Sequence, residues 1–173
     1  MKSAKEIIIP AVFTAMLIGV QFVLSGLAGV ELISVLLLSF TYVFGLKQGF
    51  IAVNAFIIVR NLIFGFFLDV FILYVIYYNL FVLVFGLISK ALNREYSIKI
   101  HICLTVIAVI LTSGFTLLSD VITPLLYSYS ASATKVYFLA SLSVMIPHII
   151  CVLATVSALF YPLYKVLISV KTQ

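Results

Sequence analysis

Long, nearly uninterrupted apolar runs fill almost the whole of this chain, and only a few ionisable residues stand inside them. With 65% of residues hydrophobic and 9% charged, and a mean hydropathy of +1.37, there is too little polar surface to solvate a globule in water, so the bilayer is the solvent. Lipid offers the backbone no hydrogen-bond partners, and only helices or closed barrels can cross it. The runs are continuous rather than alternating, which is the helical pattern. At about 20 apolar residues per crossing, spans are predicted near 7–27, 30–46, 49–67, 68–92, 101–126 and 136–156. The fold class is therefore an all-α integral membrane bundle of six transmembrane helices, a single domain over residues 1–173.

Charge sets the orientation, because Lys and Arg near span ends are retained on the cytoplasmic side. Six spans put Lys2, Lys5, Lys47, Lys90, Arg94, Lys99, Lys165 and Lys171 on one face, against Lys135 on the other. Both termini are predicted to be cytoplasmic, and the net charge of +5 reflects this bias rather than nucleic-acid binding. Reading the first run as a cleavable signal would leave five spans and spoil the bias. Cys103 and Cys151 lie in apolar segments, where a thiol behaves as a small hydrophobe, and no disulfide or metal site is implied.

The first span carries Ala11, Ala15 and Gly19 at four-residue spacing, one stripe that lets another helix approach closely. Packing inside the bundle and docking of a partner are both open readings of it. The turn at 25–29 is built of small residues, and Glu31 follows at the mouth opposite the basic face. No internal repeat stands out.

Ser113, Thr116, Asp120 and Thr123 form a polar stripe on the fifth span, and such a face cannot point at lipid. Arg60, on the third span, is expected at similar depth. An Arg60 to Asp120 ion pair is one reading, and contact of either with a ligand the other. On the fourth span Tyr74, Tyr77 and Tyr78, with Phe71 and Phe81, form an aromatic wall that begins at Asp69 and ends near Asn79. Tyrosine rings suit a heterocyclic ligand, although an interfacial aromatic belt is the alternative for Tyr74. In the sixth span His148 follows the helix-kinking Pro147 and shares a polar stripe with Ser141 and Thr155. It is read either as a packed hydrogen-bonding residue or as a ligand contact.

Enzyme motifs are missing: there is no nucleotide-phosphate loop, no H-E-x-x-H and no G-x-S-x-G. No catalytic residue, metal or cofactor is assigned, and the chain is not expected to hydrolyse ATP.

Six spans in a chain of this size, the Ala11-x-x-x-Ala15 stripe, and the segment from Gly29, Val30, Glu31, Leu32 and Ile33 to Val43, Phe44 and Gly45 together resemble the substrate-binding S component of energy-coupling factor transporters. The resemblance covers essentially the whole chain, on short and loose motifs. It implies a bundle in a prokaryotic plasma membrane that binds a vitamin or related micronutrient near its outer face. Partners implied are a transmembrane coupling subunit, which meets Ala11, Ala15 and Gly19, and two cytoplasmic ATPases that supply the energy. Regions carried over are 26–31, 69–79, 120–129 and the outer part of the sixth span, which include Glu31, Asp69, Tyr74, Tyr78, Asn79, Asp120 and His148; Arg60 joins the candidate binding positions from its charge within the third span alone, and the loops at 25–31 and 128–134 are expected to close over the ligand. The absence of Trp departs from several vitamin-specific branches, so tyrosines would have to stack on the cargo. An autonomous carrier or channel, which needs a continuous polar path, and a membrane assembly factor without a ligand are the rival readings.

Overall fold

The computed structural model describes residues 4–27 and 29–172. Lys2 and Ala28, which figure in the charge bias and in the first turn, lie outside the described residues. Six helices follow one another with short connections: α1 (Ala4–Leu24), α2 (Ile33–Phe44), α3 (Leu46–Phe64), α4 (Leu68–Ala91), α5 (Ile98–Leu126) and α6 (Ala131–Thr172). Five are long and apolar enough to cross a bilayer; α2 is the shorter apolar one. Their outer faces carry large hydrophobics such as Val12, Phe22, Leu62, Ile102, Ile110 and Leu125 in exposed positions. Water would not tolerate such a surface and hydrocarbon does, so this is a multi-pass membrane protein.

The short helix is the centre of the bundle. Every α2 residue from Ile33 to Val43 is buried, and α2 packs on α1, α3, α4 and α6, while the outer helices meet in the sequence α1, α3, α4, α5, α6. The ring stays open between α1 and α6, where an apolar groove is lined by Met16 and Val20 on one side and Leu159 and Leu163 on the other, with Val35 and Leu36 of α2 at its floor.

A helix buried at the centre of the bundle needs its end groups satisfied from within the protein. At its start Leu32 supplies no side-chain cap. Glu31 does so instead, its Oε2 accepting from the Ser34 N–H at 2.8 Å, a carboxylate placed where the helix dipole favours it. At its end the Lys171 ammonium donates to the Val43 carbonyl at 2.7 Å, and the Ser89 hydroxyl donates to that of Tyr42. Gly45, at φ +89, closes α2 and starts α3 as a single residue. A Cβ there would sit 3.1 Å from Arg94 Nη2.

These contacts place Lys47, Arg94 and Lys171 at one end of the bundle. Lys47 pairs with Glu6 at 3.2 Å, the Tyr164 hydroxyl donates to the Arg94 carbonyl at 2.9 Å, and Tyr42 donates to that of Glu95 at 2.6 Å. Lys171, held among these groups, has its pKa lowered, first by desolvation and then by Arg94. That end is filled by Tyr42, Phe160, Tyr164 and Tyr96, with Tyr42 and Phe160 meeting edge to face at 5.7 Å.

Helix lengths differ from the predicted spans in two instructive places. The 12 residues of α2 rise only about 18 Å, well short of the roughly 30 Å hydrocarbon core. The 42 residues of α6 rise about 63 Å, so this helix starts five residues before the predicted 136–156 and ends sixteen after it. Because α2 stops short, part of its column at the end opposite the basic residues is left to the 25–32 connection and to empty space.

Candidate functional site

That space is a cavity of about 240 Å³. Gln21 and Leu24 of α1, Glu31 of the connection, Tyr74 and Tyr78 of α4, Phe115 of α5 and His148 of α6 all line it. These elements converge on a volume just under the roughly 300–1,000 Å³ of ordinary small-molecule pockets, which limits any occupant to a small solute.

The α1 to α2 connection is seated against α6 by a close backbone approach. Gly29 has φ +76, and a Cβ added there would come within 2.7 Å of Pro147 Cβ, 3.3 Å of the His148 nitrogen and 3.4 Å of the Val144 oxygen. Only glycine fits both the angle and the space. Two residues on, the Cys151 thiol brackets the Glu31 backbone, accepting from its N–H at 3.4 Å and donating to its carbonyl at 3.3 Å. The connection is thus fastened where the Pro147 ring interrupts the hydrogen bonding of α6.

This places the Glu31 carboxylate between α2 and α6. Its Oε2 is engaged with Ser34, whereas its Oε1 is buried without a hydrogen bond and lies 3.5 Å from His148 Nε2. Across the cavity the aromatic wall is assembled from two helices: Tyr74 and Tyr78 meet edge to face at 5.0 Å, and Phe115 approaches Tyr74 at 6.0 Å and His148 at 5.9 Å, the latter nearly perpendicular. Gln21 donates from Nε2 to the Tyr74 hydroxyl at 3.1 Å, leaving its own Oε1 buried and unpartnered. Val20 and Leu32 line both this cavity and the apolar groove between α1 and α6, and so form the partition between them.

Of the residues singled out from the sequence, Glu31, Tyr74, Tyr78 and His148 come together here. Arg60, Asp69, Asn79 and Asp120 do not line the cavity. The Arg60 guanidinium lies over the Tyr74 ring at 4.8 Å and the Phe64 ring at 5.4 Å, with Nε and Nη1 buried and unpartnered. No ion pair joins it to Asp120 among the described residues: α3 and α5 flank α4 and share no packed interface. Asp120 instead accepts from the Ser141 hydroxyl of α6 at 2.7 Å. Asp69 accepts from Thr123 at 3.3 Å and from the Tyr127 hydroxyl at 3.2 Å. Desolvation first, and the Asp69 carboxylate second, raise the Tyr127 hydroxyl above its ordinary pKa. The polar stripe of α5 is thus turned inward but serves as a seam, holding α4, α5 and α6 together. Asn79 points to α3, where its amide and that of Asn54 exchange hydrogen bonds at 2.9 and 3.3 Å on an exposed face.

The stripe on α1 lies outside the bundle. Ala11, Ala15 and Gly19 are all exposed, and a Cβ on Gly19 would meet nothing within 4 Å, so internal packing does not use it. The 128–134 segment is partly helical, since α6 begins at Ala131, and the cavity wall comes from the 25–31 segment. Among the described residues no group of three metal-ligating side chains converges.

Gln21 and Phe115 were missed by sequence reasoning. Gln21 had a usable signal, a lone amide in an apolar span, which is costly unless something engages it. Phe115 had none, being one of 15 phenylalanines. No family model, no curated protein and no solved structure matches this chain.

Proposed function

We propose that this chain is the membrane-embedded substrate-binding subunit of an energy-coupling factor type transporter for a vitamin or similar micronutrient. The observation that carries the reading is the cavity at one end of the bundle, walled by aromatic rings and a few polar groups from five elements. By the positive-inside rule the basic end, with both chain ends, is cytoplasmic, which turns the cavity toward the outside of a prokaryotic cell. The opposite end is filled by the Tyr42, Phe160 and Tyr164 cluster, which argues against an autonomous channel. Energy then comes from two cytoplasmic ATPases through a transmembrane coupling subunit, and the exposed Ala11, Ala15 and Gly19 stripe is the surface offered to that subunit. Solute is trapped behind the 25–31 segment, and reorientation of the bundle against the coupling subunit releases it inward.

The test is reconstitution in liposomes. The protein alone is expected to bind solute without moving it, and ATP-driven uptake is expected only with the coupling module present. Replacing Ala11 and Ala15 by leucine should abolish uptake and spare binding. Transport by the isolated chain, or uptake that survives the double replacement, would refute the assignment.

A further inference from the structure

We infer that the cavity selects a positively charged or N–H-rich flat ring, with Glu31 Oε1 as the atom that receives it. This rests on the binding-subunit reading and names its substrate class. Glu31 holds one oxygen on Ser34 and keeps the other buried with no hydrogen bond. An acceptor left so in a native structure calls for a partner that is absent. His148 does not meet the need: at 3.5 Å its Nε2 is beyond the 2.7–3.2 Å of a made N–H···O bond. Gln21 presents a second unpartnered buried acceptor, Oε1, on the α1 wall.

The signs of the other groups agree. No Lys or Arg lines the cavity. The nearest guanidinium described, that of Arg60, lies over the Tyr74 and Phe64 rings and is not part of the cavity lining, although its Nε and Nη1 are unpartnered. An anionic ligand would therefore meet the Glu31 carboxylate at close range, and the lining residue able to become a cation, His148, already lies 3.5 Å from that carboxylate. Tyr78 and Phe115 supply ring surface that attracts a cation or a planar ring. The α2 start opposes a cation in principle, but Glu31 Oε2 already occupies its Ser34 N–H.

Three probes with one ring and three charges test this: 1-methylnicotinamide as the cation, nicotinamide as the neutral form and nicotinate as the anion. Binding to the purified full-length protein is read by calorimetry and by the rise in Tm that mass action on the folded state produces. The cation is expected to bind at least roughly tenfold more tightly than the other two, the ratio that one charge-assisted contact supports. Glu31→Gln keeps an oxygen for Ser34 and removes the charge, and should weaken the cation roughly ten- to a hundredfold. Should that variant fail to fold, Gln21→Met, which removes the second acceptor from a different helix, is expected to weaken the same probe. Equal or stronger binding of nicotinate, or a Glu31→Gln protein that binds the cation unchanged, overturns the charge assignment and leaves the binding-subunit reading standing. If none of the three binds, mass spectrometry of small molecules that co-purify decides. A cationic or N–H-rich compound lost from Glu31→Gln upholds the inference, and any other compound overturns it. If nothing binds or co-purifies, both readings fall.

Discussion

Replacing Gly29 by alanine tests the seat of the cavity wall. The residue sits at φ +76, a left-handed backbone that costs an L side chain about 1–2 kcal/mol. The added methyl would also approach Pro147 Cβ to 2.7 Å and the His148 nitrogen to 3.3 Å. These are ring and backbone atoms of α6 and cannot swing aside as a flexible side-chain tip would. Overpacking of this kind costs a further 1–3 kcal/mol or so, giving a total of roughly 2–5 kcal/mol if nothing relaxes. Gly26, in the same connection, is the matched control: a Cβ there meets nothing within 4 Å, and Gly26→Ala is expected to be neutral or slightly stabilising, within about 1 kcal/mol. Denaturant titration of the purified protein measures both. The Gly29 variant should also lose solute affinity, because the same displacement carries Glu31 away from His148 and Cys151. Equal stability of the two variants would refute the close-approach argument, and full affinity in a destabilised Gly29→Ala protein would refute the link from this seat to the cavity.

Asp120→Asn weakens the bond from Ser141, which holds α5 to α6 outside the cavity. A stability loss of about 1–3 kcal/mol is expected in thermal unfolding, with solute affinity unchanged; a variant that binds poorly at full stability would move Asp120 into the site. Asn79→Leu leaves the Asn54 Oδ1 without its partner while Nδ2 keeps the Phe50 carbonyl, so the single replacement should destabilise and the Asn54→Leu, Asn79→Leu double should recover part of the loss. A double-mutant cycle with coupling near zero, rather than the expected 0.5–2 kcal/mol or so, would show that the pair is incidental. Arg60→Met removes two buried N–H groups that have no partner, worth about 1–3 kcal/mol each, against a cation–π contact of about 0.5–2 kcal/mol. Stability is expected to rise, and a clear fall would reveal an acceptor for Arg60.

Much of the architecture was legible before any coordinates. Apolar run length, the bilayer's refusal of unpaired backbone, and the placing of Lys and Arg between runs are local facts, and they suffice for an all-α bundle with one strongly basic end. The site was legible in part. Glu31, His148 and the Tyr74 and Tyr78 wall were visible as polar or amphipathic residues in oily surroundings, where burial without a purpose is expensive.

What the chain did not disclose depends on which helix stands between which. Arg60 and Asp120 have opposite charges at similar depth, yet α4 separates their helices. Tyr78 and Asn79 are neighbours in sequence, yet about 100° of helical rotation sends one to the cavity and the other to Asn54. Composition and periodicity alone determined that this protein lives in lipid as a helical bundle with one basic end, because those are properties of each segment against its solvent. Only the tertiary structure decided that α2 is the enclosed helix, too short to fill its own column, and that the vacancy above it becomes a cavity with an unmatched carboxylate oxygen. A helix's length and face are written locally, whereas what each face meets is set by the packing of all six together.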